Sequence, residues 1–253
     1  MKKKRSLNKL LNPGLLKKKN GFPYHYIYVK ENPLSFVTES YEKLLVNLSY
    51  VNVDQSYKVI QMTSTIAEEG KTTFVSNFSY LLSKKDYKVI VVDLDLRKPK
   101  IHRVVHKPNE HGLTDYLSGK ITLDKAINTS KELGCDYILA GEKTSAVTHV
   151  LESKKLKDLI NELKTRYDYI ILDSPPVIAV SDAMYVSKLA DGILFLVGQK
   201  NDAKKSLVKE AIETLRKNKT PIIGLAMIQV DLKSGAYGYG YSYGYGYTDE
   251  QTD

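Results

Sequence analysis

The chain has 253 residues, with 38 Lys and Arg against 29 Asp and Glu, and one cysteine, Cys135. The first 30 residues contain nine basic residues and no acidic one, so they carry the whole formal net charge of +9. Because the excess charge is confined to one end, a basic nucleic-acid-binding domain is excluded and no nucleic-acid partner is expected. A single cysteine excludes a disulfide framework and fits a reducing compartment.

The apolar runs of the sequence are short. None of them approaches the ~18 residues that a membrane-spanning helix needs. The first residues are basic but lack the apolar core of about 7–15 residues that a signal peptide has. We therefore expect a cytoplasmic protein.

Composition divides the chain into three parts. Residues 1–33 are predicted to be a basic, flexible arm, because Pro and Gly interrupt them repeatedly. Residues 34–233 are predicted to form one α/β domain. Residues 234–253 form a Gly- and Tyr-rich tail, which should be disordered because ordering so many glycines costs much backbone entropy for little packing.

Apolar spacing predicts the elements of the central domain in chain order. A helical pattern runs from Pro33 towards Ser49. Apolar runs predict strands at 58–63, 88–93, 137–140, 169–172, 193–197 and 222–228, and helical patterns occupy 152–165 and 203–217. Strands that alternate with helices predict a doubly wound, mainly parallel sheet with helices on both faces.

A candidate phosphate-binding loop lies between the first strand and the helix after it. It contains Glu69, Gly70, Lys71, Thr72 and Thr73. In such loops the backbone N–H groups and the helix N-terminus face the phosphates, the Lys reaches the β- and γ-phosphates, and the next hydroxyl binds Mg²⁺. The usual first Gly is replaced by Thr65, so the pattern is only partly met. These five residues are the predicted ATP site.

Three carboxylates follow predicted strands. Asp93 and Asp95 end the second strand, and Asp173 ends a later one. Because ligands of doubly wound sheets lie at the carboxyl ends of the strands, we expect all three near Lys71 and Thr72. Three anions in one place need a cation, which Mg²⁺ bound with ATP supplies.

The order and spacing of these segments resemble the bacterial tyrosine kinases of capsule and exopolysaccharide systems, P-loop NTPases related to the partitioning ATPases. The matching segments are 63–73, 91–99, 111–117, 170–176, 181–183 and the terminal tyrosine cluster. The resemblance implies Walker A, A′ and B motifs at 63–73, 91–97 and 170–173.

The resemblance implies an ATP-dependent protein-tyrosine kinase that autophosphorylates its tail and regulates polysaccharide synthesis and export. A membrane adaptor of the polysaccharide co-polymerase type would activate it and recruit it to the inner face of the membrane. The tail of the same protein or of a paralogue would be the substrate. The phosphoacceptors would be Tyr237, Tyr239, Tyr241, Tyr243, Tyr245 and Tyr247.

The expected chemistry assigns a role to each site residue. Lys71 holds the β- and γ-phosphates, Thr72 and Asp173 hold Mg²⁺, and Thr73 faces the α- and β-phosphates. Asp93 and Asp95 would share the metal contact and orient the tyrosine hydroxyl, and the sequence leaves open which one accepts its proton. The predicted catalytic residues are Lys71, Asp93, Asp95 and Asp173, and the predicted metal ligands are Thr72, Asp95 and Asp173.

Several alternatives stay open at this point. Ala67 and Glu68 stand where the family has Pro and Gly, which also fits a weakened kinase serving as scaffold or substrate of an active paralogue. A second alternative is a regulatory ATPase of the partitioning type. Arg97 would contact phosphate or acceptor, or form a surface ion pair. Basic residues within 2–19 would contact anionic lipid or stay solvated.

Overall fold

A computed structural model gives the architecture for residues 27–51, 56–199 and 205–230. The predicted tail with its six tyrosines, and the basic residues 2–19, lie outside these described residues. Within them the chain folds into one seven-stranded sheet covered by helices.

The sheet is the predicted doubly wound one. Its strands are β1 (Val59–Ser64), β2 (Val89–Asp93), β3 (Asn128–Ser130), β4 (Cys135–Ile138), β5 (Tyr169–Asp173), β6 (Gly192–Gly198) and β7 (Ile222–Ile228). They lie in the order β3-β4-β2-β5-β1-β6-β7. Neighbouring strands pair in parallel, apart from the short β3, which pairs antiparallel with β4. The mainly parallel sheet is therefore confirmed.

The helices cover both faces of this sheet, as predicted. They are α1 (Tyr28–Glu31), α2 (Phe36–Val51), α3 (Lys71–Lys84), α4 (Ile101–Val104), α5 (Leu113–Leu117), α6 (Leu123–Ala126), α7 (Val147–Glu152), α8 (Lys154–Arg166), α9 (Asp182–Ser187) and α10 (Lys205–Arg216). The first four pack on one face and the other six on the opposite face.

The central strands are apolar throughout because both of their faces are buried. Val89 and Val91 of β2 pack towards α3, whereas Ile90 and Val92 pack towards α8. All four side chains are almost inaccessible to solvent. Full burial of each such side chain is worth about 1.5–3 kcal/mol, so this strand anchors the residues that follow it.

The start of the fold differs from the predicted boundary at residue 33. Ile27 and Val29 are buried in the core, and the Val29 N–H donates a 3.0 Å hydrogen bond to Oδ1 of Asn77 on α3. Residues 27–31 therefore belong to the folded domain and not to a flexible arm. A four-residue helix is too short to show a periodic apolar pattern, so the sequence did not indicate it.

The described part of the chain contains no candidate membrane span. None of its helices is long and apolar enough to cross a bilayer.

Candidate active site

The carboxyl ends of three neighbouring strands form the site. β5 lies between β2 and β1 in the sheet. Asp93 of β2 pairs in register with Asp173 of β5, and Asp173 pairs with Met62 of β1. Because β1 leads directly into the candidate phosphate-binding loop, the structure brings this loop and the predicted carboxylates together at one edge of the sheet.

The loop ends at the N-terminus of α3. Gly70 takes the N-cap position at φ +91°, a left-handed conformation that glycine adopts without a steric penalty. Lys71 and Thr72 form the first turn of the helix and are mostly buried. The first turn of a helix has unpaired N–H groups and a partial positive charge, so this arrangement suits an anion such as a phosphate.

The side chain of Glu69 holds the phosphate-binding loop in place. Its carboxylate is buried and accepts hydrogen bonds from the N–H groups of Ile66, at 2.9 Å, and of Gly198, at 3.1 Å. The side chain therefore points into the protein and ties the loop to the end of β6. Any contact of Glu69 with phosphate would come from its backbone N–H, and no local sequence signal indicates this inward orientation.

Replacing Glu69 by Gln should loosen the loop. The amide keeps one acceptor but turns an NH₂ group towards a backbone N–H, which costs about 1–3 kcal/mol for a buried unpaired donor. We expect ATP affinity, measured by calorimetry, to fall roughly tenfold. Glu68→Gln is the matched comparison, because Glu68 is exposed and the loss of its charge should not weaken binding. Equal losses in both variants would contradict the role assigned to Glu69.

Glu68 itself occupies a backbone position that suits glycine. Its φ is +68°, and its carbonyl lies 3.4 Å from Nε2 of Gln229, just beyond β7. An ordinary L-residue in this left-handed region is strained by about 1–2 kcal/mol. The structure thus gives a physical reason for the glycine that the resembling family has at this position.

The variant Glu68→Gly should bind ATP more tightly. It removes an anion near the loop, which amounts to about 1 kcal/mol, or about fivefold in affinity. The strain relieved at φ +68° is present without nucleotide, so it should raise the melting temperature and not the affinity. Calorimetry on Glu68→Gln, which removes only the charge, should show the same gain in affinity. Weaker binding of ATP by the glycine variant would show that the side chain of Glu68 contributes to ATP binding.

Asp173 has the geometry of a metal-binding carboxylate. Its Oδ2 accepts a 2.8 Å hydrogen bond from the Thr72 hydroxyl, whereas its Oδ1 is buried with no hydrogen-bond partner among the described residues. Burial raises the pKa of Asp173, opposed by the positive charge of Lys71 and by the Thr72 hydrogen bond. A hydroxyl beside an unpaired carboxylate oxygen fits Mg²⁺, which prefers oxygen ligands.

The protein groups alone do not complete a metal site. In the described ranges, no cluster of three or more His, Cys, Asp or Glu could hold a metal ion. Mg²⁺ typically uses one or two carboxylates together with phosphate oxygens and water. The residues present therefore fit a magnesium ion that arrives with a nucleotide.

Asp93 and Asp95 differ in their surroundings. Asp93 is fully buried, and its two oxygens accept hydrogen bonds from the N–H groups of Asp95, Lys100 and Ile101, at 3.1–3.2 Å. Burial and the nearby Asp173 hold the pKa of Asp93 well above its ordinary value. Asp93 thus shapes the loop after β2.

Asp95 keeps more of its carboxylate available than Asp93 does. It is 8% exposed, and its Oδ1 accepts a hydrogen bond from the Lys98 N–H at 3.0 Å. Its Oδ2 accepts none from a described residue. Of the two carboxylates after β2, Asp95 is the one with an oxygen left for a ligand.

Removing the charge of Asp173 should stabilise the protein while disabling the site. Burial raises the folded-state pKa above the unfolded value of about 3.9, so the wild type loses stability as pH rises between these values, and Asp173→Asn does not. We expect its Tm advantage to be greatest at neutral pH, at about 2–4 °C per kcal/mol, and to vanish below about pH 4.

Thermal melts of Asp173→Asn across this pH range test the effect. The exposed Asp86→Asn is the control. A variant less stable than the wild type at neutral pH would contradict the electrostatic cost assigned to Asp173.

Arg97 forms the ion pair that the sequence left as one alternative. Its Nε and Nη2 bind the two carboxylate oxygens of Asp182 at 2.5 and 3.1 Å, and Asp182 is almost fully buried at the start of α9. This bidentate pair fixes the loop after β2 to the start of α9. The sequence placed Asp182 in a matching segment but assigned it no role, because its partner is 85 residues away.

Comparisons with known proteins agree with this geometry. The model of a family described as "AAA domain" matches residues 57–222. The tyrosine-protein kinase YwqD of Bacillus subtilis is 32% identical over 207 residues, covering 81% of this chain and 87% of that protein. A putative tyrosine-protein kinase in the cps region of Klebsiella pneumoniae is 32% identical over 177 residues, which cover 70% of this chain but 24% of that protein.

A solved structure matches as well. The kinase domain of the Escherichia coli tyrosine kinase ETK superposes with a TM-score of 0.77 at 28% identity, covering 91% of this chain and 89% of that one. The parallel sheet and the loop at the N-terminus of α3 define a P-loop nucleotide-binding protein. Within that class, the chain belongs to the bacterial tyrosine-protein kinase family.

Proposed function

We propose that this protein transfers the γ-phosphoryl group of ATP to tyrosine hydroxyls, including those of its own C-terminal cluster. The observation that carries the proposal is the unpaired, buried Oδ1 of Asp173 beside Thr72 and Lys71, at the N-terminus of a helix. Membership of the tyrosine-protein kinase family supports the choice of acceptor.

The first turn of α3 would bind the phosphates. Lys71 supplies a positive charge to the β- and γ-phosphates, and the N–H groups of Gly70, Thr72 and Thr73 surround them. Magnesium bound with ATP would neutralise charge that develops on the transferred group, held by Thr72 and Asp173. Glu69 and Arg97 hold the two loops in place.

The transfer step requires a proton acceptor. The tyrosine oxygen attacks the γ-phosphorus, the bond from that phosphorus to the β,γ-bridging oxygen breaks, and ADP leaves. Tyrosine has a reference pKa of about 10, so a nearby carboxylate must take its proton at neutral pH. We assign this role to Asp95, because Asp93 is enclosed and already accepts three backbone hydrogen bonds.

The acceptors and partners follow from the family and from the sequence. Six tyrosines alternate with Gly or Ser between Tyr237 and Tyr247, so every second residue offers a hydroxyl. The tail of a second copy or of a paralogue would be the substrate. A relative from a cps region supports a role in polysaccharide synthesis and export. We further propose a membrane adaptor that recruits the protein to the inner face of the membrane, assisted by contact of residues 2–19 with anionic lipid.

A weakened kinase is the second candidate function. The exposed carboxylate of Glu68 favours it, because an anion in the phosphate-binding loop opposes the binding of ATP. Such a protein would bind nucleotide poorly and act mainly as a scaffold or as a substrate of an active paralogue. A regulatory ATPase would instead hydrolyse ATP without forming phosphotyrosine.

The variant Lys71→Met tests the nucleotide site. Losing the only positive charge of the loop should reduce phosphotyrosine formation by about 10²-fold or more, without unfolding the domain. The assay incubates the purified protein with Mg-ATP, with and without the adaptor's cytosolic segment, and measures phosphotyrosine and ADP. The exposed Lys85→Met at the far end of α3 is the control.

The outcomes of this assay separate the candidate functions. Phosphotyrosine that forms in the wild type and is lost in Lys71→Met supports the kinase. ADP without phosphotyrosine would identify a regulatory ATPase, and phosphotyrosine that forms only when an active paralogue is added would identify a substrate. Full activity of a folded Lys71→Met protein would refute the site.

A further inference from the structure

A cavity lies beside the catalytic edge of the sheet. It has a volume of about 400 Å³ and is bounded by the end of α5, the loop 142–144, α7 and the start of α8. This volume falls in the range of about 300–1,000 Å³ that small-ligand sites occupy. Nothing in the proposed transfer reaction uses it.

The lining of the cavity is cationic and rich in donors. Its walls carry the side chains of three lysines, one histidine and four hydroxyl-bearing residues, opposed by Glu142 and by Asp115. Asp115 is buried and its Oδ2 accepts hydrogen bonds from backbone N–H groups, so its charge faces inward. Three of the four hydroxyls already donate to backbone carbonyl oxygens, whereas the Thr144 hydroxyl donates to no described residue. Excess positive charge together with this hydroxyl favours an anionic ligand that accepts several hydrogen bonds.

The cationic groups differ in their present partners. Lys155 is held in place by the carbonyl oxygens of Tyr116 and Leu117, at 2.8 and 3.1 Å, and Lys120 pairs with Glu142. Lys143 and His149 make no hydrogen bond or ion pair with any described residue. The cavity therefore combines a positioned ammonium with Lys143, the imidazole of His149 and the Thr144 hydroxyl, which a ligand can engage.

The cavity is close to the catalytic carboxylates. The loop 142–144 follows β4, which pairs with β2 so that Ile138 lies opposite Val92, the residue before Asp93. Adjacent strands are about 5 Å apart and a helix is about 10 Å wide, so the cavity and Asp95 are separated by on the order of 10–15 Å. A ligand in the cavity can thus belong to the same peptide as the acceptor tyrosine.

We propose that this cavity binds a phosphotyrosine of the C-terminal cluster and thereby presents another tyrosine of the same tail to the active site. The proposal rests on the proposed kinase function and adds a subsite to it. Tyrosines four residues apart, such as Tyr239 and Tyr243, are about 13 Å apart in an extended chain, which matches the estimated separation. Phosphorylation would then proceed faster on a tail that already carries one phosphate.

Charge decides between phosphotyrosine and other parts of the tail. A phosphotyrosine carries about −1.5 to −2 charges and three acceptor oxygens, enough to engage two of the lysines and the Thr144 hydroxyl at once. An unmodified tyrosine is uncharged. The carboxylates at Asp249, Glu250 and Asp253 each bring a single charge. The cavity therefore distinguishes a modified tail from an unmodified one.

A binding experiment without ATP tests the proposal. The full chain, with its six tail tyrosines changed to Phe, is titrated into a labelled peptide of residues 235–247 phosphorylated at Tyr243, and into the same peptide without phosphate. Fluorescence anisotropy should show at least tenfold tighter binding of the phosphopeptide. The double variant Lys120→Gln/Lys143→Gln should lose most of this preference, whereas Glu142→Gln, which frees Lys120, should increase it.

The controls make each outcome decisive. Lys157→Gln, an exposed lysine on α8 outside the cavity, should bind like the parent protein, and melting curves show whether each variant is folded. Free phosphotyrosine should displace the peptide at a lower concentration than inorganic phosphate does. Equal affinity for the two peptides, unchanged binding by the double variant, or equal competition by inorganic phosphate would each overturn the proposal.

The failure of this subsite is distinguishable from the failure of the kinase proposal. The peptide is phosphorylated synthetically and no transfer takes place in the titration. A negative result would therefore leave the Lys71→Met assay unaffected.

Discussion

The pairing of β5 between β2 and β1 is the constraint on which the site depends. Its hydrogen bonds set Asp93 directly beside Asp173 and put both next to the strand that leads into the phosphate-binding loop. A slip of one residue would turn a carboxylate from the site into an apolar layer. The three backbone hydrogen bonds that Asp93 accepts are made in this register and oppose such a slip, so the end of β2 determines the geometry of the site.

This geometry has an electrostatic cost. Two buried carboxylates lie side by side, and burial raises the pKa of both. Backbone N–H groups stabilise Asp93, while Lys71 and Thr72 stabilise Asp173, yet one oxygen of Asp173 stays unpaired. The two carboxylates therefore destabilise the protein when no nucleotide is bound. A cation that arrives with the nucleotide would remove this destabilisation, a trade of stability for function that is common at functional sites.

The two loops of the site are held by contacts that are distant in sequence. Glu69 fastens the phosphate-binding loop to the end of β6, and Arg97 fastens the loop after β2 to Asp182. Both contacts are made within the protein and do not require bound nucleotide, so the loops are ordered before ATP binds. Such preorganisation lowers the entropy that binding must overcome. Glu68, with its strained backbone, directly precedes Glu69 in the phosphate-binding loop.

The sequence by itself determined the sheet, its helical layers and the approximate positions of the phosphate-binding loop and of Asp93, Asp95 and Asp173. Strand periodicity, the Gly-Lys-Thr segment and the carboxylates at strand ends are local patterns that can be recognised in the sequence without the fold. Only the tertiary structure decided that Glu69 faces inward, that Arg97 pairs with Asp182 and that Asp93 is enclosed while Asp95 keeps an oxygen available. These features depend on partners from other strands and helices, and a side chain's orientation follows from packing against those partners, which no local pattern encodes.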